Sequence, residues 1–229
     1  MSLLLTREIE TIKRDILLMG SLVEESLAKA VSALMNRRPN LAEEVIRDDD
    51  KINHQEIKVE ESCLKILALH QPVAVDLRFI TSVMKINNDL ERMGDLVVNI
   101  AGRSSRLCKK EGLIIPGDLP RMATEVQKMV RNSLDSLVGR DAVLARKICA
   151  SDNLVDEYNK ANYKEIRNRM AEEPEHLSGL IHLLIISRHL ERIGDLSTNI
   201  AEDVIYMVEG EIVRHQADLI LADQGDLSG

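Results

Sequence analysis

Apolar positions recur at helical spacing along almost the whole chain. Leu5, Ile9, Ile12, Ile16, Met19, Val23, Leu27, Ala30 and Leu34 step mainly by three or four residues and predict a first helix over about 4–37, ended by Pro39 and Asn40. Asn40 followed by Glu43 reads as a capping box for a second helix, in which Leu41, Val45, Ile52, Val59, Leu64 and Leu67 are available for burial. Gln71 and Pro72 stop that helix, and a third is expected over about 73–110. Residues 111–119, with two Gly and a Pro, are the obvious linker. The pattern then repeats. Asp118 and Pro120 start a fourth helix, residues 139–141 break it, a fifth runs to about Glu172, and Pro174 opens a sixth that ends near Gly210.

Long helices joined by short turns predict an all-α fold of two pseudo-symmetric antiparallel three-helix bundles packed side by side. The segments are a first three-helix repeat at 1–111, a second at 118–210 and a C-terminal tail at 211–229 that loses periodicity. Composition agrees: 45% of residues are hydrophobic, yet there is no Trp, one Phe and three Tyr, so the core must come from Leu, Ile, Val, Ala and Met.

The repeat is explicit in one motif. Leu-Glu-Arg-Met-Gly-Asp-Leu at 90–96 returns as Leu-Glu-Arg-Ile-Gly-Asp-Leu at 190–196, and nine of the fifteen positions 87–101 are identical to those 100 residues on. Chance would give roughly one identity. Each copy sets two acids four residues apart, Glu91 with Asp95 and Glu191 with Asp195. On a helix these lie one turn apart on the same face and repel each other. An isolated pair of this kind is ordinarily a solvated, ion-paired surface, and Arg92, Arg188 and Arg192 are spaced to supply such pairs. Its duplication points instead to a bound cation.

Counting outward from the turns identifies what faces these acids. Asn53 lies 18 residues before Gln71 and Glu91 20 after it, with Asp49 and Asp95 one turn further out on each side. In the second repeat Asp156 and Glu191 are each about 17 residues from the turn near Pro174, and Asp152 and Asp195 about 21. Two squares of side chains are expected: Asp49, Asn53, Glu91 and Asp95, and Asp152, Asp156, Glu191 and Asp195. All-oxygen donors suit hard cations such as iron, manganese, magnesium or calcium better than tetrahedral zinc. Asn99 and Asn199, one turn beyond, can extend either site. Gly94 and Gly194 in mid-helix point to another helix or an ion close to the backbone there.

Charge and other motifs narrow the function. A net charge of −8 and a pI near 5.4 argue against nucleic-acid binding, which needs a basic footprint. Cys63, Cys108 and Cys149 are odd in number and widely spaced, as expected of reduced thiols in a cytoplasmic protein. No apolar run reaches the ~20 residues of a membrane span, so membrane contact is expected to be peripheral at most. Arg103, Arg106, Lys109 and Lys110 close the third helix, where cations favour the helix dipole. His182 and His189 share a helix face other than that of Glu191 and read as core or rim histidines. Glu173-Pro-Glu-His176 straddles a helix start and has no second copy. No positioned nucleophile or base marks an enzyme.

Together these residues resemble the PhoU family, the regulators of bacterial phosphate uptake. The resemblance runs from about residue 5 to His215. It rests on Gln71-Pro72-Val-Ala-Val-Asp76-Leu-Arg78, on the two Leu-Glu-Arg-x-Gly-Asp copies, and on Val45-Ile-Arg-Asp-Asp49 with Ile148-Cys-Ala-Ser-Asp152. It implies metal ligands at Asp49, Glu91, Asp95, Asp152, Asp156, Glu191 and Asp195, with iron first and manganese, magnesium, calcium or zinc as alternatives, in multinuclear clusters. Asn53 departs from the pattern, offering an oxygen without the charge. The role implied is repression of the phosphate-starvation response through the phosphate ABC transporter and its sensor histidine kinase, and a homodimer is compatible with it. The alternative is a purely structural helical adaptor, or an accessory of another phosphate carrier, without functional metal.

Overall fold

The computed structural model describes residues 3–110 and 112–213. The described chain is all helical: α1 (Leu3–Met35), α2 (Pro39–His70), α3 (Ala74–Leu107), α4 (Leu119–Gly139), α5 (Ala142–Glu172) and α6 (Leu177–Glu209), with one 3-10 turn at Pro174–His176. Helices α1, α2 and α3 pack on one another as one bundle and α4, α5 and α6 as another; α3 against α6 and α1 against α4 join the two. The predicted pair of three-helix bundles is the fold observed. Most of the predicted tail, 214–229, lies outside the described residues.

The helical stripes bury as their spacing demands. Ile12, Ile16, Met19, Val23 and Leu27 of α1 are essentially sealed, and they belong to one apolar cluster that continues through both bundles. Along α2 the buried positions Val45, Ile52, Val59 and Ile66 recur every seven residues, a seam repeat suited to nearly parallel helix axes. Leu64 falls off that seam and is half exposed, with Cys63 taking the buried position beside it, a correction to the expected core.

Helix ends differ from expectation in identifiable ways. Helix α1 stops at Met35 because Arg37 takes a left-handed conformation (φ 49), two residues before Pro39 could intervene. Pro39 then occupies the first turn of α2, where its fixed φ and missing N–H cost nothing, so Asn40 lies inside the helix and makes no capping box. Helix α3 ends at Leu107, leaving Lys109 and Lys110 in the turn after it. Asp141 does cap α5, its carboxylate accepting from the Leu144 N–H at 2.9 Å. Gly210, at φ 80, supplies the left-handed residue that closes α6.

The segment between the repeats is pinned on both sides. The Arg37 guanidinium donates to the carbonyls of Lys110 and Leu113, each at 2.8 Å, and Arg169 donates to that of Ile114 at 2.8 Å. Leu113 is buried against Gly179 of α6, where a side chain would collide with it. This fastening helps set the register of one bundle against the other, and hence the approach of α3 to α6.

Candidate metal centre

The second acid square assembles as the turn counting predicts. Asp152 and Asp156 of α5 and Glu191 and Asp195 of α6 lie within electrostatic reach of one another. Burial first, and then the charges of Asp195, Asp156 and Glu191, push the Asp152 carboxyl up to about 6. Burial and the neighbouring acids also raise Glu191 and Asp195, against the smaller opposing pull of nearby arginines. The nearest cations are loose: Arg188 Nε stands 3.8 Å from Glu191 and Lys160 Nζ 3.9 Å from Asp156.

The first square forms with a different charge balance. Asp49 and Asn53 of α2 face Glu91 and Asp95 of α3, and the Asn53 amide donates to Asp49 Oδ2 at 3.3 Å. Burial, outweighing that hydrogen bond and assisted by the Asp95 charge, raises Asp49. Glu91 is raised by burial and then by Asp95, Glu56 and Asp49. Glu56 of α2 is a further acid within electrostatic reach of Glu91 that the turn counting misses. It lies one helical turn beyond Asn53 on the face that meets α3, and that i, i+3 spacing was the available signal.

The ordinary ion-pair explanation fails for most of these groups. Arg92 reaches Asp89, at 3.4 Å, rather than Asp95. Two buried carboxylate oxygens, Asp49 Oδ1 and Glu191 Oε2, have no hydrogen-bond partner. Acids that are crowded, partly desolvated and short of cations fit a hard cation in donor chemistry. As the side chains stand, no three His, Cys, Asp or Glu among the described residues converge to cage an ion.

The motif glycines mark helix approach. A Cβ at Gly94 would meet Ile52 Cδ1 at 3.2 Å, and one at Gly194 would meet Val155 Cγ1 at 3.4 Å and Asp152 Oδ1 at 3.5 Å. Gly94 lets α2 and α3 close more tightly than a methyl would allow, whereas a methyl at Gly194 would stand at ordinary contact distance from α5. Of the remaining candidates, His182 accepts from Arg103 at 3.3 Å, and His189 sits half-buried with both ring nitrogens unpartnered. Glu173 pairs with Arg169, and His176 lies in the 3-10 turn, so their Glu-x-x-His spacing forms no site. Cys63 and Cys149 are inert thiols, pushed up to about 12 by burial.

The two motifs also meet across the bundle interface. Arg92, Asp95 and Asn99 of α3 and Arg192, Asp195 and Asn199 of α6 line a shared groove of about 440 Å³, with His189 in its wall. Counting within each repeat could not reveal this groove, because it depends on how the bundles pack. No described helix is long and apolar enough to cross a membrane.

The family model for the PhoU domain matches twice, at residues 16–104 and 119–204. The chain is 40% identical over 215 residues to the phosphate-specific transport system accessory protein PhoU homolog of Pseudomonas aeruginosa, covering 91% of this chain and 86% of that one. It is 40% identical over 212 residues to the homolog of the same name in Aquifex aeolicus, covering 93% and 96%. The crystal structure of PhoU from Pseudomonas aeruginosa superposes with a TM-score of 0.87 at 40% identity, covering 90% of this chain and 99% of that one. That of the phosphate transport system regulatory protein PhoU from Streptococcus pneumoniae superposes at 0.85 and 33% identity, covering 91% and 99%.

Proposed function

The chain belongs to the PhoU family, and from that membership we propose that it is a cytoplasmic regulatory accessory protein of phosphate uptake that holds hard cations in its two acid squares. Its relatives are named as accessory proteins of the phosphate-specific transport system, and a structural neighbour as a regulatory protein of phosphate transport. The partners proposed are the phosphate ABC transporter and its sensor histidine kinase, and the sense of the regulation is repression of the starvation response when phosphate is plentiful. The protein acts by binding rather than by catalysis.

The observation that carries the metal reading is the second square, where four acids share one partly desolvated level and Asp152 is pushed up to about 6. Asp49, Asn53, Glu91 and Asp95 would hold the first site, and Asp152, Asp156, Glu191 and Asp195 the second. A bound cation supplies the positive charge these groups lack. The carboxylates contribute by rotating about their χ angles onto it, while Gly94 keeps α2 and α3 close and the bare Gly194 leaves Asp152 room to turn.

The regulatory role is tested by deleting the gene in its host. Starvation genes should then be expressed even in phosphate-rich medium, and an Asp152→Asn, Glu191→Gln double variant should fail to restore repression. Normal repression in the deletion strain overturns the role. Full rescue by the double variant favours the metal-free structural adaptor.

A further inference from the structure

The groove between α3 and α6 breaks the repeat symmetry at one position. In the first repeat Asp89, three residues before Arg92, accepts from its guanidinium at 3.4 Å. The corresponding residue before Arg192 is His189, and among the described residues Arg192 has no carboxylate at ion-pair distance. His189 is itself unsatisfied, with both ring nitrogens buried and unpartnered. The groove therefore holds the Arg192 guanidinium without a carboxylate at ion-pair distance, an imidazole with an unused N–H, and the amides of Asn99 and Asn199. Asn99 spends one amide N–H on the Asp95 carbonyl at 2.8 Å and keeps its Oδ1 and second N–H.

Asp95 and Asp195 set the charge of this space. Without metal they offset Arg92 and Arg192 and leave the lining with no net positive charge. Once each acid square holds a cation, their charges are matched from behind and the guanidinium is left to face the groove unopposed. Guanidinium, amide and imidazole donors around a small concave space recognise a tetrahedral oxyanion. The remaining acceptors, Asn Oδ1 and carboxylate oxygens, suit an anion that keeps a proton at neutral pH. Phosphate has such a proton and sulfate does not.

We propose that the α3–α6 groove, through Arg192, His189, Asn99 and Asn199, is a metal-dependent oxyanion site whose ligand is inorganic phosphate. The inference rests on the metal reading above and deepens it, because it lets an accessory protein of phosphate uptake sense phosphate directly. The coupling is reciprocal: metal tightens phosphate, and phosphate tightens metal by the same factor.

Equilibrium dialysis against radiolabelled phosphate tests this, using the full chain loaded with manganese or treated with chelator, with metal content measured in every sample. Loaded protein should bind phosphate and chelated protein should not. Arg192→Gln should keep its manganese but bind phosphate about tenfold more weakly or worse, with partial recovery in Arg192→Lys. Equimolar sulfate should compete poorly, and vesicles containing phosphatidic acid should not bind. Metal-loaded protein that ignores phosphate, an Arg192→Gln variant that binds it normally, equal competition by sulfate, or capture by the vesicles in place of free phosphate would each overturn the proposal. Protein that takes up no manganese overturns the metal reading, and this inference falls with it.

Discussion

Gly194 faces Asp152 across the α5–α6 contact: a methyl group there would lie 3.5 Å from Asp152 Oδ1 and 3.4 Å from Val155 Cγ1. Those are ordinary contact distances, so Gly194→Ala fits, and alanine stabilises a helix interior by about 1 kcal/mol over glycine. The thermal midpoint of chelated protein should rise by roughly 2–4 °C. Metal retention should fall, because the methyl crowds the oxygen that must turn onto the ion. Gly94→Ala meets Ile52 Cδ1 at 3.2 Å and Cγ2 at 3.3 Å, so its gain should be smaller. Paired melting curves and metal analyses check both.

The raised Asp152 carboxyl makes metal-free stability depend on pH. Its folded value of about 6 lies above the ordinary 3.8, so between them the folded state holds a proton that the unfolded chain releases. The stabilisation is complete below the lower value and is lost as pH rises through the higher. The melting midpoint of chelated protein should therefore fall between about pH 4.5 and pH 7 relative to that of Asp152→Asn, which cannot titrate there. Parallel curves for the two proteins would exclude a shifted Asp152.

Removing metal should loosen the two repeats unequally. The second square holds four acids, whereas the first holds Asn53 hydrogen-bonded to Asp49. Hydrogen exchange after chelation should show greater loss of protection at residues 152–156 and 191–199 than at 49–53 and 91–99. Equal loss in both would mean that the extra carboxylate carries no weight.

Asn53→Asp restores the absent charge. It also removes the amide donor to Asp49, so the chelated variant should be less stable than wild type while first-repeat metal affinity rises by about tenfold or more. Metal titration of both proteins measures this. No gain in affinity would separate Asn53 from the site.

How much was legible follows from where each feature's constraint lies. Gln71-Pro72 and Pro174 fix the turns, and with straight helices between them the levels of Asp152 opposite Asp195 and of Asp49 opposite Asp95 follow by counting. Glu56 escaped because the count stopped at residues matching the motif, although it lies one turn from Asn53 on the same face. Leu64 looked buried because it is apolar, whereas the seven-residue seam through Val59 and Ile66 leaves it outside. The capping box lost to Pro39, whose backbone constraint places the helix start two residues earlier. Nothing within a single repeat encodes the approach of α3 to α6. The groove's one trace in the sequence was that exposed residues Arg92 and Asn99 recur as Arg192 and Asn199, which core packing alone does not require.

Elemental analysis of protein purified without any chelator, beside the Asp152→Asn, Glu191→Gln double variant, addresses the metal sites most directly. The wild-type chain should carry a hard cation, iron foremost, and the double variant should lose the share held by the second square while keeping that of the first. Equal metal content in the two proteins, or none in either, would contradict a metal site at Asp152, Asp156, Glu191 and Asp195.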